Sequence, residues 1–291
     1  PAIQLIIMQK HRPVIFTIIK LILLYFAYQL GFSAIMSLAL SVLPMDMTTA
    51  TSLTMVTSTI AMTWHLIHFK YVRIAQDKFK EVSLSVLGAS IVFTFAAMYV
   101  LNLLIEQTGL PNSNEEAFIA MSRNPFGLLS IALLAPILEE LLFRGAIEGY
   151  LLREGRSPWG AIVVSSLIFG VVHMNPAQIP FAFLLGMMFG WLYYRTGSLL
   201  PGVVGHVLNN SVAAANMILY GDATLEEQVH DEVMMWVWAA IAAVAFLLSA
   251  VWLNRRLGIA LHAENVDMGA EKCEAEGDNG RDSDGCSRSE R

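Results

Sequence analysis

The chain has 291 residues, 56% of them hydrophobic and 14% charged, and a mean hydropathy of +0.57, whereas soluble domains carry about a quarter charged residues. That balance excludes an ordinary water-soluble globule and reads as an all-α, polytopic membrane protein. The formal charge of −6 comes with no basic patch, so no nucleic-acid partner is implied, and much of the acidity lies in residues 222–232 and the C-terminal tail. The two cysteines, Cys273 and Cys286, both lie in that tail, which gives neither a disulfide framework nor a Cys/His zinc spacing.

A membrane-spanning helix needs roughly 20 mostly apolar residues, and eight candidate segments follow one another along the chain. They run over about 14–42, 49–69, 83–105, 126–152, 158–174, 178–194, 199–220 and 233–254. Ile3 to Met8, ahead of the first, reads as an interfacial turn. The first apolar stretch is longer than a signal-peptide core and is not followed by a small-residue cleavage site, so it is expected to be retained as a helix. Residues 1–262 thus form one membrane-embedded domain. Residues 263–291, rich in Glu, Asp, Gly, Ser and Arg, hold too little apolar surface to offset the entropy of ordering and are expected to be a disordered tail.

Positive charge checks the count, because Lys and Arg gather on cytoplasmic loops. With eight spans and a cytoplasmic N-terminus, Lys10, Arg12, Lys70, Arg73, Lys78, Lys80, Arg153, Arg156, Arg195, Arg255 and Arg256 all fall inside. The outer loops hold one basic residue, Arg123, beside Glu106, Glu115, Glu116, Asp222, Glu226, Glu227, Asp231 and Glu232. Both termini are therefore expected to be cytoplasmic.

Ionisable residues at bilayer depth cost several kcal/mol unless paired or solvated, which makes each of them a functional candidate. The fourth span carries Glu139, Glu140, Arg144 and Glu148, the fifth ends at His173, and the seventh carries His206, Asn209 and Asn210. Glu140 and Arg144 are four apart, in the order that favours an ion pair. Glu139 projects about 100° away round the helix and has no cation at matching spacing. Glu148 is expected near the helix end, within reach of water. Phe169 and His173 are four apart, as are His206 and Asn210, so each pair shares a helix face. Such a set suits peptide hydrolysis: a carboxylate with a neutral histidine can hold and deprotonate a water, while a second histidine and an amide can stabilise an oxyanion. Ser165, Ser166 and Ser211 lack a Gly-x-Ser-x-Gly elbow or a lysine partner. Gly186 and Gly190 form a small-xxx-small pair that permits close helix approach.

Three motifs in order, Glu-Glu-x-x-x-Arg at 139–144, Phe-x-x-x-His at 169–173 and His-x-x-x-Asn at 206–210, resemble those of the CPBP family, the CAAX proteases and bacteriocin-processing enzymes, which includes the type II CAAX prenyl endopeptidase. The resemblance covers about residues 123–215. It implies an intramembrane glutamate-dependent endopeptidase with an eight-helix core, no metal and no cofactor, acting on membrane-associated proteins or peptides in the bilayer. By position, Glu139 and His173 would activate the water, His206 and Asn210 would form the oxyanion hole, and Glu140, Arg144 and Phe169 would structure the site. Prenylated CAAX proteins, other membrane-anchored peptides and bacteriocin-like precursors are equally open as substrates, and the bacterial inner membrane is the expected location. Three straight helices would leave Glu139, His173 and His206 at different depths, so either the fifth and seventh segments are tilted and displaced or their boundaries differ from those read here.

Two other classes remain open on the residues alone. Glu139, His173 and His206 match an accepted catalytic zinc set, although no His-Glu-x-x-His helix is present. A proton-coupled transporter or silent scaffold would also place a carboxylate and histidines in the membrane, but no inverted repeat supports it.

Overall fold

A computed structural model describes residues 14–72 and 82–257. The turn at Ile3 to Met8, the basic residues Lys10, Arg12, Arg73, Lys78 and Lys80, and the tail with Cys273 and Cys286 lie outside the described residues. Helices α1 (Val14–Leu40), α2 (Met47–His68) and α3 (Leu84–Glu106) are followed by the short α4 (Glu115–Ser122). A long composite helix, α5 (Pro125–Arg153), precedes α6 (Pro158–Val171), α7 (Gln178–Thr196) and α8 (Leu200–Leu219). A single turn, α9 (Leu225–Val229), leads to α10 (Glu232–Arg256).

Each of the eight expected segments is a helix, and the chain is an all-α, multi-pass membrane protein. Four of the described helices, α1, α3, α5 and α10, are long and apolar enough to cross a membrane. Helix α6 is apolar but has only 14 residues, about 21 Å of rise against a hydrocarbon core near 30 Å. Helix α2 is diluted by a run of Thr and Ser, and its hydroxyls turn back onto carbonyls one turn earlier: Thr54 Oγ1 donates to Ala50 O at 2.9 Å and Thr57 Oγ1 to Leu53 O at 2.7 Å.

The caps explain the boundaries. Asp46, Ser83, Asn124, Ser157 and Asp231 each accept from a backbone N–H of the helix they precede, satisfying one of the orphan donors of a first turn. Pro125 and Pro158 follow two of these caps, where the missing N–H removes no helical bond. Thr224 and Glu227 form a reciprocal capping box on α9. At the other end of α7, Gly197 adopts φ +66° and closes the helix in the left-handed conformation.

Helix α5 is the centre of the molecule. Half of its most apolar window is buried, against 11% for α1 and α10, which therefore form the lipid-facing rim. Leu138, Leu141, Leu142, Phe143, Ala146 and Ile147 of α5 pack with Ile18 and Leu21 of α1, Met62 and Leu66 of α2, Phe169 of α6 and Tyr193 of α7. A second cluster joins Val86 and Phe93 of α3 to Leu185, Phe189 and Leu192 of α7 and Leu253 of α10.

Two stretches of α5 are π-helical, Ser130–Leu134 and Glu140–Glu148. The first lies directly ahead of Pro136, whose ring would clash with the carbonyl four residues back in a regular α-helix. The second is buried at all nine positions. Ser165 Oγ of α6 donates to Phe143 O at 2.7 Å, giving a partner to a carbonyl within the widened turn. Because π turns bond i to i+5, residues four apart stack more nearly in line than in an α-helix. Glu140, Arg144 and Glu148 consequently form one inward row.

Candidate active site

Arg144 anchors the site and is 0% exposed. Its Nη1 lies 3.1 Å from Glu140 Oε1, close enough for an ion pair although the two are not aligned as a hydrogen bond. Nη2 donates to Gly186 O of α7 at 3.0 Å, and the guanidinium carbon stands 4.6 Å from the centre of the Phe169 ring, a cation–π distance. The expected pairing of Glu140 with Arg144 is thus present.

Helix α8 brings His206 against both glutamates. Nδ1 is 3.0 Å from Glu140 Oε1, and Nε2 is 3.5 Å from Glu139 Oε2. An ionised carboxylate can only accept, so the Glu140 contact makes Nδ1 the donor and turns Nε2 towards Glu139. The glutamates differ in access: the Glu139 side chain is 14% exposed and that of Glu140 1%. Gly202 makes this approach possible, because a Cβ there would lie 2.8 Å from Glu140 Oε2.

His173 reaches the same region from a different element. It stands in the turn after α6, which ends at Val171, three residues before the expected end of that segment. Asn175 precedes Pro176, a position that disfavours helix, and Met174 has φ +49°. The buried Asn175 donates to Asn112 Oδ1 at 2.7 Å and accepts from Ala177 N at 3.3 Å, which fixes the turn. His173 Nδ1 is 2.8 Å from Phe169 O; since a carbonyl only accepts, Nδ1 is the donor of this bond and Nε2 is left outside it. The Phe169 ring lies edge-on to both histidines, 5.0 Å from His173 and 5.7 Å from His206. His173 therefore meets the site across Phe169, and among the described residues no ion pair joins it to Glu139.

Asn210 donates from Nδ2 to Ile131 O, in the first π stretch, at 3.1 Å, and accepts from Asn209 Nδ2 at 2.9 Å. One of its two amide hydrogens is thereby committed and one is left to donate. The sequence motif ignores Asn209, yet Asn209 sets the orientation of the Asn210 amide. Glu148 is the clearest correction: expected near water, it is 0% exposed, because the second π stretch keeps it in the row with Arg144. Its position four residues after Arg144 is the signal in the sequence, against which stands its nearness to the helix end. Among the described residues, no three His, Cys, Asp or Glu side chains are grouped to hold a metal ion.

These elements define a multi-pass helical membrane protein with a buried Glu-His-Arg centre on a π-distorted helix. Residues 122–212 match the family described as type II CAAX prenyl endopeptidase Rce1-like, the stretch that carries the three motifs. Two curated bacterial proteins are similar to it. YdiL of Bacillus subtilis (strain 168), provisionally named a membrane peptidase, is 30% identical over 104 residues, covering 35% of this chain and 42% of that protein. MroQ of Staphylococcus aureus (strain USA300), named a membrane-embedded CAAX protease, is 31% identical over 116 residues, covering 38% and 47%. The chain thus spans less than half the length of the curated relatives it matches. No solved structure matches it.

Proposed function

We propose that this protein is an intramembrane endopeptidase that hydrolyses peptide bonds of membrane-associated proteins or peptides with a water activated at Glu139. The carrying observation is the division of labour between adjacent glutamates: Glu140 is committed to Arg144 and His206, while Glu139 faces His206 Nε2 at 3.5 Å and keeps some exposure.

In this reading His173, with Nδ1–H held by Phe169 O, offers the Nε2 lone pair to orient the water, and the Glu139 carboxylate takes the water's proton as its oxygen attacks the scissile carbonyl. His206 is held through Nδ1 by Glu140 and presents Nε2 to the developing oxyanion as a donor. The uncommitted N–H of Asn210 is the second donor, and such donors contribute roughly 3–4 kcal/mol each in well-studied cases. Collapse of the tetrahedral intermediate breaks the C–N bond, and the proton on Glu139 passes to the leaving amine. Glu140, Arg144 and Phe169 hold His206 in place and do not touch the reacting atoms.

Substrates are membrane-anchored peptides, with prenylated CAAX proteins and bacteriocin-like precursors as the classes to try first, in a bacterial inner membrane with both termini cytoplasmic. The distribution of Lys and Arg supports that orientation, and the family match at residues 122–212 supports the substrate class. The test is cleavage of a membrane-tethered, fluorogenic peptide library by detergent-purified protein, with and without a strong zinc chelator. Cleavage that survives chelation is expected. Loss on chelation points to a zinc mechanism, and no cleavage of any peptide removes the protease reading.

A further inference from the structure

One buried ionisable group has no part in that chemistry. Glu148 is fully buried and, among the described residues, neither of its carboxyl oxygens has a hydrogen-bond partner; nor has Nε of Arg144, one step along the same row. Burying a carboxyl without partners is expensive, and a Gln or Met of similar volume would fill the space at lower cost.

The surrounding helices are shaped to admit it. Each charged residue of the row is seated against a glycine of a facing helix. A Cβ at Gly202 of α8 would lie 2.8 Å from Glu140 Oε2, one at Gly186 of α7 3.0 Å from Arg144 Nη2, and one at Gly190 of α7 2.6 Å from Glu148 Oε2. The small-xxx-small pair in α7 is therefore a pair of seats for Arg144 and Glu148. Glu148 also lies within electrostatic reach of both Arg144 and Glu140. Arg144 thus stands between two carboxyls, four residues to either side, and holds Glu140 against His206.

We propose that Glu148 is a further positioning residue of this site: its carboxyl, acting through Arg144, sets the Glu140–His206 contact. The inference rests on the protease reading only for its kinetic consequence. With the carboxyl at 148 removed, Arg144 is drawn wholly to Glu140, and the hydrogen bond from His206 Nδ1 weakens. The groups that face this row are Glu139, Glu140 and Arg144 on α5, His206 on α8, His173 beyond the Phe169 ring, and Tyr193 and Arg153 beside Gly149.

The test is Glu148→Gln in the full-length, detergent-purified protein, read in two ways. The first follows the ring signal of His206 through a pH titration by carbon-13 NMR of histidine-labelled protein, assigned by its loss in His206→Ala. The second is kcat and KM for peptide cleavage. The expected result is a His206 midpoint moved by roughly half a pH unit or more and kcat lowered about tenfold with KM unchanged. Glu148→Met, which fills the space without polar atoms, gives the same reading if Glu148→Gln is not recovered folded. A folded variant with the wild-type His206 titration and wild-type kcat overturns the proposal. If the wild type cleaves no peptide, the protease reading fails, while the NMR titration still decides the role of Glu148.

Discussion

Arg144→Met removes the cation that balances the buried row while nearly preserving its volume. The native guanidinium has Glu140 Oε1 at 3.1 Å, Gly186 O at 3.0 Å and the Phe169 ring at 4.6 Å, all without solvent. Removing one partner of a buried pair leaves an uncompensated charge and typically costs about 3–5 kcal/mol. For a domain of this size that corresponds to a fall in Tm of roughly 10 °C or more. The assay is thermal unfolding of the detergent-purified protein, followed by tryptophan fluorescence. Arg144→Met/Glu140→Gln should recover part of the loss, since the Glu140 carboxylate is then no longer orphaned, while the Glu148 carboxyl still lacks its cation and keeps the recovery incomplete. Equal Tm values for Arg144→Met and wild type would refute a charge-balanced row.

Three further outcomes follow from the geometry. Gly202→Ala places a Cβ 2.8 Å from Glu140 Oε2 and should lower peptide cleavage at least about tenfold, despite the gain in helix propensity; kinetics beside a Tm measurement separate the two effects. Asn209→Ala frees the Asn210 amide to rotate and should lower kcat with KM unchanged, at a stability cost of about 1 kcal/mol. At the α2 N-cap, hydrogen bonds from the side chain and then the backbone N–H of Thr49 hold the Asp46 carboxyl below its ordinary range. Because the folded value is the lower one, this contribution is present above the ordinary carboxylate range and is lost as pH falls through the folded value. Asp46→Ala should therefore unfold at a lower temperature than wild type at neutral pH, and the gap should close in strong acid.

Much of the fold was legible because apolar length is the dominant signal in a membrane chain: all eight segments read from the sequence are helices. Less legible was how they depart from regularity. Nearness to the helix end places Glu148 within reach of water, but the second π stretch, which no propensity marks, keeps it buried in the row with Arg144. The end of α6 at Val171 was hidden because the apolar run continues through Val172, although Asn175-Pro176 was a readable stop. Motif spacing paired Glu140 with Arg144, since residues four apart on one helix meet by local geometry. It could not give the contact of His206 with both glutamates, which depends on the approach of α8 to α5. Asn209, Asn175 and Ser165 act by orienting neighbours, and a sequence shows such roles only once the neighbours are known.

The most direct measurement is kcat/KM for a cleaved membrane-tethered peptide with wild type and Glu139→Gln, in the same detergent and with folding confirmed by Tm. Loss of a general base predicts a fall of about 10²–10⁴-fold with Tm little changed. A Glu139→Gln protein that cleaves at the wild-type rate contradicts the assignment of Glu139 as the group that activates water.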